Sequence, residues 1–355
     1  MAQALRLAER GLYTTMPNPR VGCVIVKDGV MVGEGAHIKA GEPHAEVLAL
    51  RQAGAQAKGA TVYVTLEPCS HFGKTPPCAD ALVQAGVLKV IAAMQDPNHL
   101  VSGQGLARLS GQGIIVASGL MQAQAEALNP GFISRMTQHL PFVRSKIAAS
   151  LDGKTALQNG VSQWITGEAA RHDVQHWRAR SCAIITGIGT VLSDNPSLTV
   201  REIEMARQPL RVIVDSHLRT PLDAKILQNG RTLIAFATET EGTEDKAEKL
   251  FEAGAELLCI PNATGKVCLK SLLSHLAANQ INEVLVEGGE GLNGALMAAG
   301  LIDALVIYYA PTLMGSAGKG MFAMPALTEM SQAQSLQIVD VRQFGSDIRL
   351  TAHVN

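Results

Sequence analysis

Aromatic residues are scarce in this chain, 4% of 355 residues, with two tryptophans and four tyrosines. That argues against a sandwich packed on Tyr and Trp, and for aliphatic α/β packing in Ala, Val, Leu and Ile. An excess of one charge is also missing: 30 Lys and Arg stand against 31 Asp and Glu, a formal net charge of -1, with no long basic run. A nucleic-acid backbone calls for a concentrated positive footprint, so small ligands are favoured. No apolar run reaches membrane-spanning length. The opening MAQALRLAERG reads as an amphipathic helix stopped at Gly11, without the basic segment, apolar core and cleavage site of a signal peptide. Six cysteines are too few for a disulfide scaffold at this length. The expectation is a soluble cytoplasmic protein that acts on small molecules, with no membrane and no nucleic-acid partner.

What is present is length and aliphatic mass. At 355 residues and 47% hydrophobic, the chain exceeds what one core usually serves, so two domains are expected. The first 120 residues alternate β-like runs at 21–26, 61–65, 87–93 and 114–118 with helices from about Ala45, near 79–85 and near 103–112. A helical segment at 122–136 leads to QHLP, 138–141, the expected linker. A second alternation places strands at 142–150, 182–187, 210–216, 231–237, 256–261, 283–289 and 304–311. Helices fill 168–180, 244–253, 267–277 and 292–299, and the tail reads as two strands joined by a turn at Gly345-Ser346-Asp347. Two different α/β domains, 1–138 and 141–355, are the simplest account.

In the first half, GEPHAE (41–46) and TLEPCSHFGKTPPC (65–78) bring together His44, Glu46, Cys69 and Cys78. One imidazole and two thiolates supply three ligands to a tetrahedral zinc ion and leave a fourth position for water. Zinc brings the acidity of that water toward neutrality, and a carboxylate that is not a ligand, here Glu46, can shuttle its proton to a leaving group. This is the logic of the zinc deaminases, His-x-Glu with Pro-Cys. Their usual Pro-Cys-x-x-Cys is stretched here by the eight residues SHFGKTPP, in which Lys74 and Thr75 beside Gly73 suit a phosphate. The competing reading is a closed structural zinc knuckle with His71 as fourth ligand, which has no use for an acid at Glu46. Cys23, Cys182, Cys259 and Cys268 lie in or beside apolar runs and read as small buried hydrophobes. His139 and His176 read as surface or packing residues. Asn18, between two prolines ahead of the first strand, can offer an amide to a heterocycle edge; a plain turn is the alternative.

PNPxVGCVIV, GEPHAE, TLEPCSHxGKTPPC, SLDGKTA, SQWIT and VEGG, in this order over nearly the whole chain, resemble the bacterial bifunctional riboflavin-biosynthesis deaminase/reductase (RibD) family. The long insertion between the cysteines belongs to that family's pattern. The resemblance implies a cytidine-deaminase-like α/β/α domain followed by a dihydrofolate-reductase-like α/β domain. The first would deaminate 2,5-diamino-6-(5-phosphoribosylamino)pyrimidin-4-one, with His44, Cys69 and Cys78 on zinc, Glu46 as proton shuttle, and Asn18, His37, Lys74 and Thr75 on substrate.

In the second half, Gly289-x-Gly291-x-x-Gly294 follows a strand and opens a helix, like a dinucleotide fingerprint. It comes late, and no acidic residue follows at the distance a Rossmann unit requires. What survives is the close approach of glycine backbone N–H groups to a phosphate. The resemblance implies NADPH as cofactor, contacted by Ala148, Trp164, Thr190, Asp194, Ser216, Gly288, Gly289 and Gly291. It places Lys146, Ser162, Arg178, Arg201 and Glu287 on a phosphorylated substrate whose ribosyl group is reduced to ribityl. Bare of the family, Arg178 reads as a solvated helix face and Trp164 as a core aromatic. A homodimer fits the family and the Ala- and Gly-rich helix at 292–300. The alternatives are a nucleic-acid base deaminase with an accessory domain, disfavoured by the near-neutral charge, and a non-enzymatic zinc-stabilised nucleotide-binding module.

Overall fold

A computed structural model describes residues 1–70, 76–99, 101–238 and 243–355, and the chain divides into two units, Met1–His139 and Leu140–Asn355. Among the described residues no helix is long and apolar enough to cross a membrane.

The first unit holds a five-stranded sheet in the order β2-β1-β3-β4-β5. The strands are β1 (Gly22–Lys27), β2 (Val30–Ala36), β3 (Thr61–Val64), β4 (Lys89–Ala92) and β5 (Ile115–Ser118). β1 is antiparallel to both β2 and β3, whereas β3, β4 and β5 run parallel. Helices α1 (Ala2–Glu9), α2 (Ala45–Ala53), α3 (Cys78–Gln84), α4 (Gln104–Gly111), α5 (Gln122–Leu128) and α6 (Pro130–Gln138) complete the unit. Cys23, Ile25, Val62, Val64, Val90, Leu82 and Leu109 form its core.

β2 is absent from the sequence reading because VMVGEGA carries glycine where a strand pattern wants side chains. Packing supplies the reason. A Cβ at Gly33 would lie 2.3 Å from the Ala49 carbonyl oxygen, and one at Gly35 2.2 Å from that of Ala45. The glycines let α2 lie on the strand, with Ala45 and Ala49 buried beneath it. The helical segment expected at 122–136 is two helices, broken at Asn129-Pro130, where proline opens α6.

The second unit is built on a nine-stranded sheet in the order β10-β9-β8-β7-β11-β6-β12-β14-β13. Its strands are β6 (Phe142–Ser150), β7 (Ala183–Gly187), β8 (Leu210–Val214), β9 (Thr232–Phe236), β10 (Ala255–Cys259), β11 (Glu283–Val286), β12 (Ala304–Ala310), β13 (Leu336–Phe344) and β14 (Asp347–Val354). The first seven run parallel, and β14 and β13 return antiparallel as the expected tail hairpin. β7, β8 and β11 read as near-continuous apolar runs because helices cover both faces. Those helices are α7 (Glu168–Arg180), α8 (Ile188–Asp194), α9 (Thr243–Glu252), α10 (Leu269–Ala278) and α11 (Glu290–Ala298). α8, a short IGTVLSD with glycine and β-branched residues, has a weak helical signature and is absent from the sequence reading. The decisive feature is β11, which enters late in the chain yet lies between β6 and β7.

Candidate active sites

In the first unit, the ends of β2 and β3 and the starts of α2 and α3 converge. His44 is the residue preceding α2, Glu46 lies in that helix's first turn, and Cys78 opens α3. The His44 Nδ1 atom lies 3.2 Å from Cys78 Sγ and 3.6 Å from Cys69 Sγ. The Cys78 backbone N–H donates to Cys69 Sγ at 3.3 Å, and Ala79 N–H to the Cys69 carbonyl at 3.1 Å. Among the described residues His44, Cys69 and Cys78 are the group whose ligand atoms all lie within 4.8 Å of one another. One imidazole and two thiols at this spacing fit a zinc ion. The hydrogen bond with Cys78, and the His44 contact after it, hold the Cys69 thiol down to about 4 against its burial. Cys78 is driven the opposite way by the same bond, so Cys69 ionises first.

Glu46 is buried, and its carboxyl is pushed up to about 7, by burial first and the Cys69 charge second, with His44 opposing. Such an acid can both take and give a proton near neutral pH. Beside His44, with ring centroids 5.3 Å apart, His37 is buried with Nδ1 3.3 Å from the Pro43 carbonyl and Nε2 3.1 Å from Asn18 Nδ2. A carbonyl only accepts, so Nδ1 carries the proton and Nε2 accepts from the Asn18 amide. Burial pushes the His37 pKa down, in keeping with a neutral ring. The Asn18 loop is pinned by Asn129, whose side chain pairs with both backbone groups of Arg20 at 2.8 and 3.0 Å. Asn18 closes a turn, its backbone N–H donating to the Thr15 carbonyl at 2.9 Å, while its side-chain amide is held against His37. Lys74, Thr75 and His71 lie outside the described residues.

In the second unit, the parallel strands end together, and the register decides who meets. Val286 pairs with Ser145 on one side and Ile185 on the other, so Glu287 emerges beside Lys146. Glu287 takes a two-pronged contact from Arg178 on α7, Nε to Oε1 at 2.6 Å and Nη2 to Oε2 at 3.0 Å, with Lys146 Nζ at 3.8 Å. Burial works against its charge, but Arg178 and then Lys146 outweigh it and hold the carboxyl at about 2. Arg178 is thus a clamp arginine, not a solvated one. Burial pushes Lys146 down.

The other residues are spread over the same strand-end edge. Ala148 is half-buried on β6, Thr190 and Asp194 lie on α8, and Ser216 follows β8 with its hydroxyl accepting from Val267 N–H at 3.2 Å. Ser162 Oγ donates to Asp194 at 3.5 Å, joining two of them. Trp164 is 72% exposed, not core, with the Arg171 guanidinium 4.8 Å over its ring. Arg201 is exposed, its backbone N–H donating to Gln175 at 2.9 Å. At Gly289 and Gly291 a Cβ would meet no atom within 4 Å, so internal packing does not require glycine there. Open space at the N-cap and in the first turn of α11 suits a dinucleotide phosphate. Gly294, by contrast, underlies the backbone of Ala323, where a Cβ would lie 2.2 Å from its oxygen.

Two contributors escaped the sequence. Asn293 is buried, accepts from Ser145 Oγ at 2.9 Å and donates to the Gly288 carbonyl at 3.2 Å, locking the glycine turn to β6. Arg171 gave no signal beyond helix spacing. Of the four remaining cysteines, Cys23 and Cys182 are buried as expected, and Cys259 and Cys268 are half-buried.

The comparisons with known proteins agree from end to end. Residues 1–94 match the cytidine and deoxycytidylate deaminase zinc-binding region, and residues 141–350 match the RibD C-terminal domain. The riboflavin biosynthesis protein RibD of Escherichia coli K12 is 50% identical over 99% of this chain and 97% of that protein. A solved structure of Acinetobacter baumannii RibD (form 1) is 48% identical with a TM-score of 0.92, covering 100% of this chain and 97% of that one. The Thermotoga maritima diaminohydroxyphosphoribosylaminopyrimidine deaminase/5-amino-6-(5-phosphoribosylamino)uracil reductase is 33% identical with a TM-score of 0.87, over 100% of this chain and 97% of that one. With a zinc-type deaminase framework ahead of a reductase framework on one polypeptide, the chain belongs to the RibD family of bifunctional deaminase/reductases in riboflavin biosynthesis.

Proposed function

We propose that the first unit hydrolyses the 2-amino group of 2,5-diamino-6-(5-phosphoribosylamino)pyrimidin-4-one, and that the second reduces the ribosyl group of the resulting 5-amino-6-(5-phosphoribosylamino)uracil to ribityl. The carrying observation is a buried glutamic acid, Glu46, set beside His44, Cys69 and Cys78 yet outside their donor set. Those three would hold zinc, which supplies Lewis acidity toward water. Glu46 takes the proton of the attacking water and returns it to the departing nitrogen, so that water's oxygen joins the ring carbon and ammonia leaves. Asn18, oriented by His37, meets the polar edge of the pyrimidine. Lys74 and Thr75 are assigned to substrate by family resemblance alone.

In the second unit Gly288, Gly289 and Gly291 would hold the phosphates of NADPH, which would supply the hydride for the reduction, with the balancing proton drawn from solvent. Ala148, Trp164, Thr190, Asp194 and Ser216 would contact the rest of the cofactor. Glu287 stays ionised, fixing Arg178 and Lys146 where a phosphorylated sugar binds, with Ser162 and Arg201 completing the contacts. The enzyme works as a cytoplasmic homodimer. Edge strand β13, where Leu336, Ile338, Val339 and Val341 are all exposed, supports that pairing better than α11, whose Gly294 is already covered by Ala323.

The test is a stoichiometry. The diaminopyrimidine substrate with NADPH yields one ammonia and then one oxidised cofactor, and chelation of zinc stops the first while a supplied deaminated substrate is still reduced. Zinc-loaded protein that releases no ammonia would contradict the reading.

A further inference from the structure

One buried acid beside the metal centre takes no part in the chemistry above. Glu67, 4% exposed, stands two residues ahead of Cys69. Its Oε2 accepts backbone N–H groups from Asp96 at 3.1 Å and Gly103 at 2.9 Å, and its Oε1 accepts from Gly105 at 2.8 Å and Leu106 at 3.2 Å. Four donors fill the acceptor capacity of a carboxylate. Two of them belong to the first turn of α4, where a negative charge is favoured. The Glu67 backbone N–H donates to the Met94 carbonyl at 3.0 Å, tying the same residue to the segment after β4. From the other side, α4 presses on Pro68: a Cβ at Gly105 would lie 2.0 Å from the Pro68 oxygen. Residues 67 and 68 are thus gripped through side chain and main chain immediately before a thiol that carries the Cys78 N–H on its sulfur.

We propose that Glu67 is a positioning residue for the metal centre: by binding the turn at Pro68-Cys69 to α4 and the loop before it, its carboxylate fixes Cys69 Sγ at ligand distance from His44 and Cys78. The inference rests on the zinc reading above. A glutamine of the same shape replaces one acceptor oxygen by an NH₂ facing two backbone N–H groups, which releases that half of the grip. Groups that orient metal ligands typically contribute 10- to 100-fold in metal affinity.

The test compares wild type, Glu67→Gln and Leu109→Ala, the last loosening α4 through the core without touching the carboxylate. Zinc release to an excess of chelator is followed with a colorimetric indicator, thermal unfolding is recorded alongside, and NADPH oxidation on deaminated substrate reports the second unit. Glu67→Gln should release zinc about 10-fold faster or more, with unchanged reductase activity, while Leu109→Ala at comparable or greater thermal destabilisation releases it within about twofold of wild type. If zinc release in both variants simply follows their loss of thermal stability, or if Glu67→Gln releases zinc at the wild-type rate, the inference is overturned. Should Glu67→Gln not accumulate folded, Glu67→Asp, which keeps the charge but shortens its reach, is read by the same criteria. Wild type that binds no zinc sinks the site reading itself, a different failure.

Discussion

Glu46 and Glu287 are the same residue in opposite circumstances. Each is buried, and in each burial is the largest influence and works against the charge. At Glu46 the next contributor is the negative Cys69, and the carboxyl rises to about 7. At Glu287 the neighbours are Arg178 and Lys146, and it falls to about 2. The first carboxyl is the one proposed above as proton shuttle; the second is a fixed charge paired with two cations. Burial raises both carboxyls, and the charges around each set the direction in which the balance falls.

That contrast can be broken from the anchor side first. Glu287→Gln leaves two cations buried without their counter-charge, a change that costs on the order of 3–5 kcal/mol. The second unit should unfold at lower urea and lose reductase activity, while ammonia release by the first unit persists. A loss of both activities would mean that the two glutamates do not act separately. Acid provides a milder test. A folded-state value held below the ordinary 4.5 adds stability that is fully present above that pH and is lost as pH falls toward about 2. The shift corresponds to roughly 3 kcal/mol. Urea midpoints of the second unit measured from about pH 5 down to about pH 2 should therefore decline more steeply in wild type than in Glu287→Gln. Trp164→Ala is the smallest. The ring is largely exposed, so stability should move by about 0.5 kcal/mol or less, while KM for NADPH rises several-fold with little change in kcat. Equal loss in kcat would place the indole at the reacting atoms.

Much of the first site was legible because metal ligation needs particular residue types: His44, Cys69 and Cys78 announce themselves by chemistry and spacing, and Glu46 by standing two residues from His44. The clamp in the second unit was not legible in the same way. Lys146, Arg178 and Glu287 lie far apart in the chain and meet only because β11 inserts between β6 and β7, a strand order that no local pattern encodes. Resemblance named these residues; the sheet explains them. β2 was missed for a related reason, since Gly33 and Gly35 answer to the approach of α2 and not to the strand's own alternation. Glu67 looked like part of a motif, but its four backbone partners lie 29 to 39 residues away.

The most direct measurement is on Glu46→Gln, with zinc content, ammonia release and NADPH oxidation on deaminated substrate determined on one preparation. The variant should keep its zinc, lose about 10²- to 10⁴-fold in deamination rate, and reduce the deaminated substrate at the wild-type rate. A variant that keeps its zinc and still releases ammonia at the wild-type rate would contradict the assignment of Glu46 as the proton shuttle, and with it the contrast between the two glutamates.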